Sequence, residues 1–335
     1  MTATECPSCR WLIEPGDRYC EKCGHELERS ASPDSGVERR LVTGEVQTGT
    51  TRVVWARPTA DHVELDLHWA AAVSDRGRRH TRNEDAFALA TAGDRVAVVV
   101  CDGVSMSANP ARASAAASQA ALRVLQRALS APAWPGPAQA EALLVDALVE
   151  ACRAVAAVPG ANPAAPLQPG DYDQLPATTI VAALVGDGRA SVASVGDSRA
   201  YWISAQPEQS RRLTVDDSWV EEAVAEGMDP DEAQRDPQAH VITRWLGADV
   251  TELSPHLATM VVDDGVLVVC TDGLWNDFAE AGDLRDLLLT TGGIPPQDPL
   301  VAARSLVTAA LQAGGHDNIT VAVIASPPSP PYPGA

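Results

Sequence analysis

The sequence contains no run of eighteen or more apolar residues, so none of its segments is predicted to span a bilayer as a helix. Its first ten residues, Met1 to Arg10, lack the apolar core of a secretory signal peptide. We therefore expect a cytoplasmic protein with no membrane partner.

Positive charge is also scarce. Lys22 is the single lysine, and 25 basic residues stand against 45 acidic ones, which gives a formal net charge of −20. Nucleic acids and anionic lipids bind clusters of lysine and arginine, so neither is expected as a partner. An acidic composition suits carboxylate sites for cations, although on its own it commonly serves only solubility.

The chain is long enough, at 335 residues, for one large domain and an appendage, and its hydrophobic fraction of 45% indicates a packed core. Residues 28–65 are mostly polar with little periodicity, and we interpret them as a flexible linker. Residues 66–325 form the dense body of the protein, for which a monomer is expected. The proline-rich residues 326–335 are predicted to be a disordered tail.

Four of the seven cysteines form two Cys-x-x-Cys pairs separated by ten residues: Cys6, Cys9, Cys20 and Cys23. Two such knuckles can place four thiolates tetrahedrally around one zinc ion. The alternatives are two disulfides, which a cytosolic chain disfavours, a redox pair, or iron in a rubredoxin-like site. We predict a structural zinc ribbon over residues 1–27. Four thiolates leave no open position for catalysis.

Within the body, short β-type runs follow one another through short turns, which favours antiparallel sheets over βαβ units. Runs such as Val96 to Cys101 lack polar alternation, so these strands should be covered on both faces. Helices are predicted over Ala111 to Ser130 with Asn109 as N-cap, over Ala138 to Val158, and over Leu300 to Gln312 behind the Asp298-Pro299 cap.

Four Asp-Gly pairs occur, and the simplest interpretation of each is a hairpin turn. Asp187-Gly188 and Asp264-Gly265 fit that interpretation. Asp102-Gly103 and Asp272-Gly273 instead end buried strands without a matching return strand. Two strand ends that each deliver a carboxylate suggest a shared cation site, and the glycines would let a backbone carbonyl approach the ion.

Further acidic clusters precede two other strands, and together with the Asp-Gly pairs they make an ordered series. The motifs are Asn83-Glu84-Asp85, Val100-Cys101-Asp102-Gly103, Ala177-Thr178-Thr179, Val195-Gly196-Asp197-Ser198-Arg199-Ala200-Tyr201, Cys270-Thr271-Asp272-Gly273 and His316-Asp317-Asn318-Ile319-Thr320. This series resembles the bacterial branch of the metal-dependent (PPM, type 2C) protein phosphatases. The resemblance runs from about Ala70 to Ala325.

The resemblance implies an α+β fold, in which a central antiparallel β-sandwich is flanked by helices on both faces in four αββα layers. It implies hydrolysis of phosphoserine and phosphothreonine on proteins, opposing a bacterial Ser/Thr kinase. The attacking group would be a hydroxide bridging two manganese or magnesium ions. Oxygen-only ligands with retained waters suit these ions better than zinc.

The resemblance also implies roles for single residues. Asp102 would bridge both ions, with the Gly103 carbonyl on one, and Asp272 and Asp317 would complete the catalytic set. Asn318 would orient Asp317. Glu84 and Asp85 would act largely through waters, and Asp173 would help to hold a third ion near Asp272.

Two positions depart from the family pattern and bear on phosphate binding. The arginine that family members commonly carry five residues before the aspartate of Asn-Glu-Asp is His80 here, flanked by Arg79 and Arg82. The usual Gly-Gly after the first Asp-Gly is Val104-Ser105. We expect His80, Arg82 or Arg79 to contact the substrate phosphate, since a dianion attracts a guanidinium or an imidazolium.

Two further segments have simpler interpretations. Gly196-Asp197-Ser198-Arg199 is interpreted as a tight turn tied by an Asp–Arg pair. The segment Asp216 to Arg244, here called the flap, corresponds to the variable flap of the family and is expected to influence substrate choice.

Two other functions remain open from the sequence. One is a non-catalytic regulatory or phosphoprotein-binding module that acts through the zinc ribbon. The other is a partner-switching phosphatase acting on an anti-anti-sigma-type protein. Because a pseudo-enzyme has no need for Asp102, Asp272 and Asp317 together, the enzyme is preferred.

Overall fold

The computed structural model describes residues 4–5, 12–13, 43–48, 51–56, 61–159 and 175–325, the last range without residues 263, 292 and 297. The four cysteines predicted to bind zinc, Asp173 and the proline-rich tail all lie outside these ranges.

The described ranges contain seventeen strands and seven α-helices. The strands are β1 (Thr4–Glu5), β2 (Leu12–Ile13), β3 (Thr43–Thr48), β4 (Thr51–Ala56), β5 (His62–Asp66), β6 (Ala70–Asp75), β7 (Ala86–Ala92), β8 (Arg95–Cys101), β9 (Ala177–Thr178), β10 (Ile180–Gly186), β11 (Arg189–Val195), β12 (Arg199–Ser204), β13 (Arg211–Arg212), β14 (Leu246–Gly247), β15 (His256–Val261), β16 (Gly265–Cys270) and β17 (Ile319–Ala325). The helices are α1 (Pro110–Ser130), α2 (Pro137–Ala156), α3 (Trp219–Ala225), α4 (Pro230–Ala233), α5 (Asp272–Trp275), α6 (Ala281–Thr291) and α7 (Pro299–Ala313).

Two antiparallel sheets hold most of these strands. The first has seven strands in the order β15-β11-β10-β8-β7-β4-β3, and the second has six in the order β13-β12-β16-β17-β6-β5. Two-stranded pairs are formed by β1 with β2 and by β14 with β9. The prediction of antiparallel sheets with helices is confirmed.

Three hydrophobic clusters define four layers. Phe87 and Val98 of the first sheet pack against Trp202 and Leu267 of the second, between the sheets. Helices α1 and α2 cover the outer face of the first sheet, and α6 and α7 cover that of the second. Both faces of the central strands are therefore buried, which explains why Val96 to Cys101 shows no polar alternation.

The prediction of a linker over 28–65 is wrong for its second half. Strands β3, β4 and β5 lie inside that interval, β4 pairs with β7, and β5 pairs with β6. Val54 and Val63 are buried in the layer between the sheets. Strands near a sheet edge carry many polar residues, so their periodicity is weak in the sequence.

One of the two expected hairpin turns is confirmed. Asp187 and Gly188 both have positive φ, 50° and 69°, which is the geometry of the tight turn that joins β10 to β11. Asp264-Gly265 is not a hairpin turn, because β15 and β16 belong to different sheets. Asp264-Gly265 lies where the chain crosses from β15 in the first sheet to β16 in the second.

The three predicted helices are present as α1, α2 and α7. The Asp298 carboxylate caps α7 by accepting from the amides of Leu300 and Val301. Asn109 precedes α1 in a left-handed conformation without a side-chain cap, contrary to our expectation, and its amide donates to the Pro159 carbonyl instead. None of the helices in the described ranges combines the length and hydropathy that a bilayer-spanning segment needs.

Candidate active site

Antiparallel pairing brings the acidic strand ends to one edge of the sandwich. Ala86 pairs with Cys101, so Asp85 and Asp102 emerge side by side from β7 and β8. In the second sheet Cys270 pairs with Val321, near the start of β17, so Asp272 and Asp317 emerge at the same edge. The sequence prediction that separate strands deliver carboxylates to one place is supported by this register.

The proximity of these carboxylates is evident in the electrostatics of Asp102. Burial raises the pKa of Asp102 well above its ordinary value. The charges of Asp85, Asp272, Asp317 and Asp197 raise it further, since each disfavours another negative charge nearby. The five acidic side chains therefore form one interacting cluster.

Two carboxylate oxygens of the cluster are buried without a hydrogen-bond donor, Oδ1 of Asp85 and Oδ1 of Asp272. Burial raises the pKa of Asp85 to about 7, even though the Thr271 hydroxyl donates to its Oδ2 at 2.8 Å. Burial also raises the pKa of Asp272 well above its ordinary value, and the Asp317 charge adds to the effect. Uncompensated buried oxygens are costly, so the cluster requires protons or cations.

The backbone of Asp102 is held by the Ala177-Thr178-Thr179 motif. The Asp102 carbonyl accepts from the Thr178 hydroxyl at 2.6 Å and from the Thr179 amide at 2.8 Å. The Asp102 amide donates to the Thr179 hydroxyl at 3.1 Å. These bonds fix where the Asp102 carboxylate leaves the sheet.

The side chain of Asn318 ties a second segment to the site. Its amide nitrogen donates to the carbonyls of Arg76 and Arg82, at 2.7 and 3.0 Å, and its amide oxygen accepts from the Glu84 amide at 2.7 Å. The backbone amide of Asn318, rather than its side chain, donates to Asp317 Oδ1 at 2.7 Å. The loop that precedes Asp85 is therefore clamped to the strand end that carries Asp317.

A glycine is needed at position 273 because two backbone segments approach each other closely there. A Cβ atom at Gly273 would overlap the carbonyl oxygen of Asn318. The glycine thus lets the short helix α5, which begins at Asp272, lie directly against the segment that carries Asp317.

The remaining predicted site residues lie around this cluster. Glu84 accepts a 2.8 Å hydrogen bond from the Ser105 hydroxyl, and the Gly103 amide donates to the Glu84 carbonyl at 3.2 Å. His80 Nε2 lies 3.1 Å from Asp317 Oδ1. Arg79 is half-buried and Arg82 is exposed.

Asp197 is a member of the cluster that our sequence interpretation missed. Burial raises its pKa to about 7, and its charge raises the pKa of Asp102 and Asp272. Asp197 follows the buried strand β11, which is the same signal that pointed to Asp102, but the turn-forming residues around it favoured a purely structural role.

The prediction that Arg199 pairs with Asp197 is also wrong. Its guanidinium binds Asp216 through Nε and Nη2, at 3.0 and 2.6 Å, and stacks 3.6 Å from the ring centroid of Trp275. The Trp275 indole donates to the Asp197 carbonyl at 2.9 Å. Arg199 therefore joins the base of the flap to helix α5, which carries Asp272.

The donor set fits hard divalent cations, because it consists of carboxylate oxygens, two of them buried and unpartnered. Within the described ranges, no group of three or more histidine, cysteine, aspartate or glutamate side chains is placed so that these side chains alone could hold a metal ion. Magnesium and manganese commonly retain several waters, so an open set of carboxylates is compatible with them.

Comparison with known proteins identifies the family to which the chain belongs. A family model described as protein phosphatase 2C matches residues 75–291. The chain belongs to the protein phosphatase 2C family. The match includes Asp85, Asp102, Asp197 and Asp272, and the chain continues beyond it to Asp317.

Two curated relatives of this phosphatase 2C chain come from bacteria. Protein phosphatase PhpP of Streptococcus pneumoniae is 36% identical over 149 residues, which are 44% of this chain and 57% of PhpP. Serine/threonine phosphatase stp of Listeria innocua is 32% identical over 149 residues, 44% of this chain and 56% of stp. The alignments thus span little more than half the length of these relatives.

Solved structures of the family are similar over more of the chain. Serine/threonine phosphatase Stp1 from Staphylococcus aureus has a TM-score of 0.62 at 27% identity, over 79% of this chain and 98% of Stp1. The catalytic domain of PstP, solved in complex with two manganese ions, has a TM-score of 0.55 at 28% identity, over 76% of this chain and 96% of that domain.

A groove of about 850 Å³ opens beside the acidic cluster of this phosphatase 2C chain. Asp197 and Asp272 lie at the groove, one wall is formed by the flap, and the other is formed by the segment from Trp275 to Gly282. The flap residues that line it include Val220, His240 and Ile242. The groove therefore offers space for a ligand next to the carboxylates.

Proposed function

We propose that this chain hydrolyses phosphoserine and phosphothreonine on proteins with the help of manganese or magnesium ions, opposing a Ser/Thr kinase. The observation that carries the proposal is the cluster of buried carboxylates, whose raised pKa values and unpartnered oxygens call for cations. Family membership and the named Ser/Thr phosphatases among its relatives support the same reaction.

We assign Asp102, Asp272 and Asp317 as the catalytic carboxylates that would hold two ions, with the Gly103 carbonyl as a further ligand. Glu84 and Asp85 would act on the ions largely through waters, and Asp173 remains our proposal for a third ion. When bound, the ions would activate the attacking water and neutralise charge on the phosphoryl group. Arg82 and Arg79 are proposed to contact the phosphate, because guanidinium groups bind it bidentately.

The groove is proposed to hold the polypeptide on one side of the phosphorylated residue. Ile242 is an apolar flap residue that lines this groove. Replacing Ile242 by Ala removes apolar contact of about 1 kcal/mol, which corresponds to about a fivefold higher KM for a phosphopeptide. KM for para-nitrophenyl phosphate should stay unchanged, as should both values in the control Val261→Ala, an exposed residue outside the groove.

We further propose one structural zinc ion held by Cys6, Cys9, Cys20 and Cys23. These residues lie outside the described ranges, so support for the site comes from their spacing alone. Zinc and the catalytic ions should separate experimentally, because thiolates retain zinc more strongly than carboxylates retain manganese.

The activity is tested by mild chelation followed by metal addition. We expect elemental analysis to find zinc still bound while activity toward a phosphopeptide is lost, and we expect manganese or magnesium to restore it. Recovery with zinc alone, and not with manganese, would contradict the assignment. Intact Asp102, Asp272 and Asp317 favour this enzyme over a non-catalytic module.

A further inference from the structure

The two large sheets have four outermost strands, and one of these strands differs from the other three. Strand β3 contains Glu45, and β5 contains Glu64 and Asp66. Strand β13 consists of Arg211 and Arg212. Charged side chains on an outermost strand hinder its pairing with another chain. Strand β15 contains no aspartate, glutamate, lysine, arginine or proline, so its edge lacks this protection.

The register of β15 determines which of its backbone groups are unpaired. The amide of Val262, just after the strand, donates to the Gly188 carbonyl at 3.0 Å. In an antiparallel pair, the amide and the carbonyl of every second residue point to the same neighbouring strand. The even-numbered residues of β15 therefore bond to β11, and the odd-numbered ones, Leu257, Thr259 and Val261, direct their backbone groups away from it. None of the described strands pairs with that side of β15.

The side chains of the odd-numbered residues lie on the face of the sheet that bears helix α2. The Thr259 hydroxyl is hydrogen-bonded to Glu141 of α2 at 3.1 Å and to the Ser191 hydroxyl of β11 at 3.0 Å. Side chains alternate between the two faces of a strand, so Leu257 and Val261 lie on the same face as Thr259. They are 43% and 74% exposed. Two apolar side chains thus lie uncovered beside unpaired backbone groups.

The rest of β15 is fixed to the sandwich. Met260 packs against the hydrophobic cluster between the sheets, and Val262 is buried in that cluster. Pairing with β11 runs along the whole strand. Because β15 is already ordered in an extended conformation, the binding of another strand would cost little further ordering.

We propose that two copies of this chain associate through β15, with the two strands antiparallel about a two-fold axis at Thr259. The outward-facing residues are spaced symmetrically about Thr259, so Leu257 of each copy lies opposite Val261 of the other. Facing residues exchange backbone hydrogen bonds, and the exposed apolar side chains cover each other. This symmetry, and the absence of any charge that would face its own copy, favour a second β15 as the occupant.

The association is expected to be weak and to depend on salt. Stable, specific interfaces bury about 1,200–2,000 Å² in total. A strand of six residues from each copy buries less, so we expect a Kd on the order of tens of micromolar. Each copy also carries a formal net charge of −20, whose repulsion salt screens. The monomer expected from the sequence would then be the state of the dilute protein.

Sedimentation equilibrium of the full chain tests the proposal, at about 5 to 200 μM protein and about 0.15 M salt. The mass of the parent should rise from 35.1 kDa toward twice that value. Leu257→Arg and Val261→Glu each place a charge opposite an apolar side chain twice in the dimer, so each should weaken association by about tenfold. The double variant Leu257→Arg/Val261→Glu places opposite charges face to face and should restore most of the affinity.

The controls make the same charge changes at exposed apolar positions on the helices. Leu289→Arg on α6 and Val301→Glu on α7, where the side chains are 46% and 41% exposed, should associate like the parent. Thermal unfolding checks that every variant folds.

Three results would overturn the inference. One is a parent chain that stays at 35.1 kDa over the whole range. Another is a dimer that both single variants leave unchanged, because it would use a different surface. The third is a double variant as weak as the single ones, because Leu257 would then not face Val261. The proposal does not depend on the proposed function, which metal removal and addition test separately.

Discussion

Replacing Asp85 by Asn should stabilise the protein when metal ions are removed and destabilise it when they are present. Asp85 is 6% exposed, its Oδ1 has no hydrogen-bond donor, and its pKa is raised from 3.8 to about 7. The folded state therefore binds the proton more tightly than the unfolded state. The resulting penalty is absent below about pH 4 and complete above about pH 7.

The size of the effect follows from the pKa. A tenfold change in an acid dissociation constant corresponds to about 1.4 kcal/mol, so the penalty for ionised Asp85 is at most ~4 kcal/mol. The metal-free parent should lose stability as the pH rises from 4 to 7. Asp85→Asn removes the charge, so the metal-free variant should exceed the parent at pH 8 by up to that amount, and the gain should shrink at pH 5.

Urea unfolding followed by tryptophan fluorescence measures the difference. With saturating Mn²⁺ the order should reverse, because the parent binds the ions more tightly and ligands stabilise the state that they bind. Asp187→Asn, in the exposed turn between β10 and β11, is the matched control and should change stability by less than about 0.5 kcal/mol at either pH. A gain that is no larger at pH 8 than at pH 5 would show that ionised Asp85 does not destabilise the metal-free fold.

Two further predictions concern backbone packing and the N-terminal strands. Gly273→Ala should lower the free energy of unfolding by about 1–3 kcal/mol and weaken Mn²⁺ binding, because its Cβ meets the Asn318 carbonyl; unchanged urea unfolding would contradict this. A chain that begins at residue 61 lacks β3 and β4 and leaves the β7 edge unpaired, so its thermal midpoint should fall below that of a chain beginning at residue 42. Equal midpoints would restore the linker interpretation.

The fold class and the edge that carries the site could be predicted from the sequence because their signals are local. Asp102 and Asp272 each follow a buried strand without a return strand, and the pattern of buried runs favours antiparallel sheets covered by helices. Asp85 and Asp102 then lie together because β7 pairs with β8, and Asp272 and Asp317 because β16 pairs with β17. The packing of one sheet on the other brings the two pairs to one edge.

Other features depend on contacts between residues far apart in the sequence. Asn318 binds the carbonyl of Arg76 across 242 positions, and no local pattern indicates this bond. Arg199 binds Asp216 rather than its neighbour Asp197. Asp216 is brought to it by the flap, and Trp275, on which the guanidinium stacks, is brought to it by α5. Strands β3 to β5 were not predicted from the sequence, because their burial depends on pairing with β7 and β6 and not on a local hydrophobic pattern.

Anomalous diffraction from crystals of the full chain soaked in Mn²⁺ would show directly whether the acidic edge of the sandwich binds the catalytic ions. We expect two manganese peaks at this edge, each within direct ligand distance, about 2–2.3 Å, of an oxygen of Asp102, Asp272 or Asp317. Crystals of Asp272→Asn should show a weakened peak at that residue. Manganese bound elsewhere, with no peak at the acidic edge, would show that these carboxylates do not hold the catalytic ions.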